Sequence, residues 1–210
     1  MENKVNKSVV CGITKASDAL LARVPTQAST TSDFWSWGSN NRLPEALAQL
    51  SRNSTTHRRI INDKADYISG KGFNYDASVP LLDNIVKRAN GEGESLRQVL
   101  NKLAFDKSLF GNAFLEVVTD EKHTFLSLYH QDATQCRVAK DSQHILLHHN
   151  WSHFRAGEAV SLPLYPNFEK QKDGSLRSII HYKDYEPMFR HYGVPQYIAG
   201  MNVSAIAYKT

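Results

Sequence analysis

Apolar residues in the first half of this chain recur three and four positions apart, a spacing typical of helices. Pro44 suits the first turn of a helix, where its missing N–H is not needed, and Ser54 and Ser95 are good N-cap residues. Gly70 and Gly111 follow the apolar repeats and predict helix ends. The predicted buried faces carry Leu43, Leu47 and Leu50; Ile60, Ile61, Ala65 and Ile68; Leu81, Leu82, Ile85, Val86 and Ala89; and Leu96, Val99, Leu100, Leu103 and Phe110.

After Asn112 the apolar repeat changes from a helical period to a period of two, which is typical of β-strands. Residues 114–118 and 125–129 flank a polar turn and predict a β-hairpin. We therefore predict an α+β fold, with N-terminal helices followed by an antiparallel β-rich region. Further strands are predicted at 135–139, 144–151, 159–164 and 176–182, and a helix from Val194 to Ala207.

These elements predict two parts of unequal size. Residues 1–33 carry one β-prone segment and a Thr/Ser-rich linker that we expect to be flexible. Residues 34–210 form an α+β domain, with helices over 44–110, β-structure over 113–183 and a C-terminal helix from 194. Because the sequence stops within that helical pattern, we expect the domain to be incomplete.

Residues that fix backbone geometry are concentrated between Trp35 and Gly72. Trp35 and Trp37 lie two positions apart, which puts both rings on one side of an extended segment. Gly38 and Asn41 supply turn chemistry, because both residue types tolerate positive φ. This stretch contains no catalytic residue set, so it predicts a structural role.

Three segments together resemble the N-terminal region of tailed-bacteriophage portal proteins. They are a Trp-x-Trp-Gly-x-x-Asn-x-x-Pro run closed by Gly-Lys-Gly, a Gly-Asn-aromatic strand entry, and a Tyr-Gly-x-Pro helix entry. The resemblance spans about residues 34 to 206. Its motif residues are Trp35, Trp37, Gly38, Asn41, Pro44, Gly70, Gly72, Gly111, Asn112, Tyr192, Gly193 and Pro195.

The resemblance implies a wing-like part of a subunit that forms a ring, usually of twelve copies, at one capsid vertex. Double-stranded DNA passes through such a ring, and the large terminase subunit, capsid proteins and head–tail connector proteins contact it. It also implies a non-enzymatic protein of the virion, assembled in the bacterial cytoplasm. Portal subunits are usually longer, so the resemblance is to an N-terminal portion or a truncated form.

Charge and hydropathy change this picture little. The net charge of +4 and the isoelectric point near 9.0 permit weak contact with DNA phosphates, without a dense Lys/Arg block. The strongest basic cluster, His57-Arg58-Arg59, suits either a solvated helix face or a contact with phosphate or another subunit. No apolar run is long enough to cross a bilayer, so no membrane partner is expected.

Histidines between His144 and His191 support an alternative, a metal-assisted hydrolase. In a strand, however, His148 and His149 point to opposite faces, and no His-Glu-x-x-His pattern is present. We therefore predict no metal site, no cofactor and no catalytic residues. Another phage structural protein that shares this α+β module is a further alternative.

Aromatic residues crowd the last quarter of the chain and alternate with basic residues there. Such a mixture is common at protein–protein contacts, and it also fits a scatter of core and surface positions. Both interpretations stay open for Tyr165, Phe168, Tyr182, Tyr185, Phe189, Tyr192 and Tyr197.

Overall fold

Four α-helices precede seven β-strands in the computed structural model, which describes residues 33–200 apart from 39, 123 and 188. The α+β prediction is therefore confirmed. The strand and linker predicted before Asp33 lie outside the described residues. The helices are α1 Leu43–Asn53, α2 Thr55–Ser69, α3 Pro80–Lys87 and α4 Leu96–Phe110. The strands are β1 Asn112–Thr119, β2 Leu126–Gln131, β3 Cys136–Val138, β4 His144–Leu147, β5 Val160–Pro163, β6 Glu169–Lys170 and β7 Leu176–Lys183.

The helices begin and end at the residues that the sequence indicates. The Ser54 side chain accepts a hydrogen bond from the His57 backbone N–H at the start of α2. Ser95 and Gln98 form a reciprocal capping box at the start of α4. Gly111 ends α4 in the left-handed conformation, with φ of 69°.

Two antiparallel sheets follow the helices. The larger has the strand order β2-β1-β7-β6, and the smaller has the order β3-β4-β5. The predicted hairpin is confirmed, since Val117 of β1 pairs with Leu128 of β2. Strand β1 also pairs along its whole length with β7, from Asn112 opposite Lys183 to Thr119 opposite Leu176. The central strand therefore depends on a partner far along the chain.

The hydrophobic core lies where the helices meet both sheets. Helix α4 packs against α2 and against β1, and the smaller sheet packs against β7 through β5. Burial of these apolar side chains is the main favourable contribution to folding. The fully or almost fully buried residues of this core include Trp37, Leu47, Ile61, Leu109, Phe114, Ile145, Leu162 and Ile179.

Two predicted helix faces were wrong in part. Helix α2 buries His57, Ile61, Ala65 and Ser69, whereas Ile60 and Ile68 are 58% and 45% exposed. The buried residues repeat every four positions along the side of α2 that faces its neighbours, chiefly α4. In α3 only Ile85 is buried, and Leu81 and Leu82 are 43% and 44% exposed.

Two other predicted elements differ from the observed ones. The strand predicted to reach residue 151 ends at Leu147, because the Asn150 side chain caps a 3-10 turn over Trp151–His153. In place of the start of an α-helix at Val194, a 3-10 turn spans Gln196–Gly200, with Ile198 N–H donating to the Pro195 carbonyl. The rest of that predicted helix lies outside the described residues. Of the described helices, none has the length and apolar content to cross a membrane.

Candidate functional site

Three of the sequence motifs, far apart in the chain, meet at one place in the fold. We call this place the motif junction and define it by Trp37, Asn41, Gly111, Asn112, Arg137, Tyr192 and Gly193. It joins the segment before α1, the turn between α4 and β1, strand β3, and the segment after β7.

Gly111 and Gly193 bring two backbone segments into direct contact. A Cβ atom on Gly111 would lie 2.6 Å from the carbonyl carbon of Val194, and a Cβ on Gly193 would overlap the carbonyl oxygen of Gly111. The same carbonyl oxygen accepts a 2.9 Å hydrogen bond from the backbone N–H of Asp184. Neither position has room for any side chain, which explains why both motifs carry glycine there.

Asn112 links the turn after α4 to the segment around Gly193 through its fully buried side chain. Its Nδ2 donates to the carbonyls of Phe110 (2.8 Å) and Gly193 (2.9 Å), while its Oδ1 accepts from the Gly193 N–H (2.8 Å) and from His181 Nε2 (3.0 Å). These four hydrogen bonds use both donors and both acceptor sites of the side-chain amide, and all of their partners lie within the chain. Burial, aided by the charge of Lys183, lowers the pKa of His181 to about 3, so this imidazole is neutral at physiological pH.

Tyr192 connects the segment that carries Trp35 and Trp37 to strand β3 by hydrogen bonds. Its hydroxyl donates to the Trp35 carbonyl (2.6 Å) and accepts from the Val138 N–H (2.9 Å), and burial raises its pKa. The Tyr192 and Trp37 rings stack with centroids 4.5 Å apart, and Trp35 stacks on His191 at 4.0 Å. The two tryptophans therefore pack against two consecutive residues, His191 just before the C-terminal motif and Tyr192, its first residue.

Arg137 was missed from the sequence, although it is the most extensively bonded side chain of the junction. It is fully buried, and its guanidinium lies 5.7 Å from the Trp37 ring centroid and 5.1 Å from that of Trp151. It donates to the carbonyls of Thr134, Cys136 and Asn41, to Asn41 Oδ1 and to Glu45. The available signal was an arginine between Cys136 and Val138 in an otherwise apolar strand.

The backbone-shaping motif residues outside the junction act locally, and Asn41 of the junction also helps to turn its own segment. Gly38 and Asn41 have φ of 86° and 59° and turn the chain into α1, whose first turn contains buried Pro44. Pro195 begins the last 3-10 turn. Gly70 and Gly72, with φ of 57° and 128°, end α2 away from the junction, and a Cβ added at either position would have nothing within 4 Å. The Gly-Lys-Gly motif is therefore not part of the motif junction.

The histidines of the hydrolase alternative are held by separate partners. His144 lies between Asp141 (2.6 Å) and Glu169 (3.1 Å), and His148 Nδ1 accepts from the Asn150 N–H. The rings of His148 and His149 lie 4.6 Å apart, so the prediction that they point to opposite faces was wrong, because β4 ends at Leu147. Among residues 33–200, apart from 39, 123 and 188, no three His, Cys, Asp or Glu side chains are grouped to hold a metal ion.

The chemistry of the motif junction is that of a structural connection. Its donors and acceptors bind one another, its aromatic rings stack, and its glycines allow backbones to touch. A polar network that is satisfied in this way fixes one arrangement of the segments that it joins. The junction thus sets the position of α1, β1 and the last described turn relative to one another.

Comparison with known proteins gives similarity at the level of fold. Neither a protein-family profile nor a curated protein sequence matches the chain. Among solved structures, a chain in the neck of an empty GTA particle computed with C6 symmetry has a TM-score of 0.62 and 16% identity, covering 90% of this chain and 48% of that one.

Two further solved structures give the same result. A chain of the virion of a native gene transfer agent (GTA) particle has a TM-score of 0.59 and 15% identity over 90% of this chain and 47% of its own. A chain in the neck of a native GTA particle computed with C12 symmetry has a TM-score of 0.56 and 15% identity over 92% of this chain and 47% of its own. The chain thus spans about half the length of the chains whose fold it shares.

Proposed function

We propose that this chain is a portal-type subunit of a phage or phage-like particle. The observation that carries the proposal is the match of its fold, over 90% of its length, to a chain in the neck of a GTA particle. The motif residues that resemble portal proteins support it independently, because half of them converge on the motif junction. A subunit that works by shape needs such a rigid connection between its segments.

The proposed role is to form a ring at one capsid vertex, through which double-stranded DNA is packaged and ejected. Copies in a ring contact one another by repeated heterologous interfaces, and the bore contacts DNA backbone without reading bases. The net charge of +4 suits weak contact of this kind. The large terminase subunit, the capsid and head–tail connectors are the proposed partners, in the virion and in the bacterial cytoplasm during assembly.

Localisation in the particle tests the proposal directly. A version carrying an epitope tag, expressed together with the other genes of its particle, is labelled with gold-conjugated antibody and imaged by electron microscopy. We expect label at a single vertex where head and neck meet. Label spread over the capsid shell or along the tail, or a protein absent from purified particles, contradicts the portal role.

A second measurement distinguishes the hydrolase alternative from the portal-type subunit. Replacing His148 and His149 together by Ala removes the pair of neighbouring imidazoles that this alternative needs. We expect the particle yield and the number of DNA-filled particles to stay at the wild-type level. A hydrolytic activity of the purified protein that the double variant loses would favour the enzyme.

A further inference from the structure

Large apolar side chains are exposed unevenly on the described part of the chain. Seven of the thirteen that are exposed there fall between residues 60 and 82, on α2, on the segment after it and on α3. Tyr67 is the most exposed of them, at 88%. We call this group the helical patch; it comprises Ile60, Tyr67, Ile68, Phe73, Val79, Leu81 and Leu82.

The helical patch lies on helices that already bury another face. Helix α2 packs on α4 and buries Ile61 and Ala65, whereas Ile60, Tyr67 and Ile68 stay exposed. Ile60 and Tyr67, seven residues apart, lie on nearly the same side of the helix, with the polar Asp63 and Lys64 between them. A helix on the surface of an isolated subunit needs only one such face. The sequence pattern that predicts burial of Ile60, Ile68, Leu81 and Leu82 therefore indicates a partner surface.

The size of the helical patch fits a protein interface. With roughly 200 Å² for each large side chain, the exposed fractions of its seven members add up to roughly 700 Å². A stable interface buries about 800 Å² on each partner. The patch is thus large enough to be most of one side of a subunit contact.

A second exposed apolar group lies on a different element. Ile180 and Tyr182 alternate along β7 and so share a face, and Tyr185 follows the strand; they are 37%, 58% and 89% exposed. We call these three residues the strand patch. Tyrosine is enriched at protein–protein contacts because it combines a large apolar ring with a polar tip.

We propose that the helical patch of one copy packs against the strand patch of the next copy. The inference rests on the proposed function, because copies arranged head to tail in a ring must each present two different surfaces. The chain presents two such surfaces, one aliphatic and helical, the other rich in tyrosine and carried by a strand. The partner is thus a second copy of this chain, bound through a heterologous contact.

Disulfide cross-linking between copies tests the pairing. In a Cys11→Ser background, in which the described Cys136 is buried, single-cysteine variants Tyr67→Cys and Tyr182→Cys are purified separately, mixed and mildly oxidised. We expect a cross-linked dimer from the mixture and only background dimer from either variant alone. Cross-linking of Tyr67→Cys to itself shows an isologous contact and overturns the inference, and so does a chain that stays monomeric at its highest soluble concentration.

A matched pair of substitutions measures the contribution of the helical patch. Ile60 and Val160 are exposed to nearly the same extent, 58% and 54%, but Val160 lies outside both patches. Ile60→Asp should weaken self-association, measured by sedimentation, by roughly tenfold or more, while Val160→Asp should leave it unchanged. Equal effects of the two variants overturn the inference.

These experiments can reject either proposal without rejecting the other. Label at a single vertex without cross-linking between the patches leaves the portal role standing and rejects this contact. Specific cross-linking in a protein that is absent from the particle does the reverse.

Discussion

The motif junction and the helical patch show two ways in which this chain uses its apolar and aromatic residues. In the junction Trp37, Tyr192 and Arg137 are buried among their own partners, and Asn112 satisfies all of its hydrogen bonds internally. In the helical patch Tyr67 is 88% exposed. The buried residues of the junction thus make their contacts within the chain, whereas the exposed residues of the helical patch are available for the contact that we propose.

Substitution of Gly111 should give one of the two largest losses of stability in the junction. Gly111→Ala places a Cβ 2.6 Å from the Val194 carbonyl carbon at a φ of 69°, so we expect a loss of about 3–5 kcal/mol in the free energy of unfolding, measured in urea. Gly174→Ala is the matched control, because its φ is 82° but nothing lies within 4 Å. It should cost about 1 kcal/mol. Equal losses would show that the close backbone contact is not what the junction depends on.

The two tryptophans should differ from each other. Trp37 is 2% exposed and stacks on Tyr192, so Trp37→Ala should cost about 3–5 kcal/mol in urea unfolding. Trp35 is only half-buried, and Trp35→Ala should cost about 1–2 kcal/mol through loss of its stacking on His191. A larger loss for Trp35→Ala than for Trp37→Ala would contradict this prediction, because Trp35 would then contribute more to stability than the buried Trp37.

His181 should make the stability of the junction depend on pH. The folded state holds it neutral, with a pKa of about 3, whereas the unfolded chain takes up a proton near the ordinary value of 6.5. Its contribution is therefore complete above pH 6.5 and is lost as the pH falls below it, by roughly 1 kcal/mol per pH unit. Urea unfolding of wild type and His181→Leu between pH 7 and pH 4 should show a shallower slope for the variant.

The matched control for that slope is His153→Leu, which removes an exposed histidine of the 3-10 turn after β4. It controls for the loss of a histidine at a position outside the junction. If His181→Leu keeps the full wild-type slope, the protonation that destabilises the fold takes place elsewhere.

The smallest effect on subunit stability is expected in the helical patch. Ile60→Asp and Tyr67→Asp change side chains that make few contacts within the chain, so each should alter the free energy of unfolding of the monomer by less than about 0.5 kcal/mol. Urea unfolding at a low protein concentration measures this. A loss as large as that of Trp37→Ala would mean that these residues belong to the core after all.

The sequence predicts local features of the fold well. Ser54 and Ser95 cap their helices, Gly111 ends α4, and β1 and β2 form the predicted hairpin, because each of these depends on residues close in the chain. The pairing of β1 with β7 depends on residues about sixty positions apart, and periodicity carries no information about such a partner. The two-residue strand β6 is too short for any periodicity.

The junction is predictable only as a set of motifs. Each glycine and the Asn112 position are visible in the sequence, but Gly111 touches the chain at Val194 and Asn112 binds Gly193, which no local pattern indicates. The burial of Arg137 could not be predicted from the sequence. A buried guanidinium is stable only with several hydrogen-bond acceptors, and here some of them come from distant residues such as Asn41 and Glu45. The exposure of Ile60 and Ile68 is not predicted either, because their helical spacing is the same as that of buried residues.

The bond from the Tyr192 hydroxyl to the Trp35 carbonyl spans most of the described chain and has a consequence for synthesis on the ribosome. Helices α2 and α4 can pair once both have emerged, since they lie much closer together in the chain than Trp35 and Tyr192 do. The segment of Trp35 and Trp37, although translated early, lacks its stacking partners His191 and Tyr192 until both have left the exit tunnel. The earliest described part of the polypeptide is therefore among the last to reach its native position.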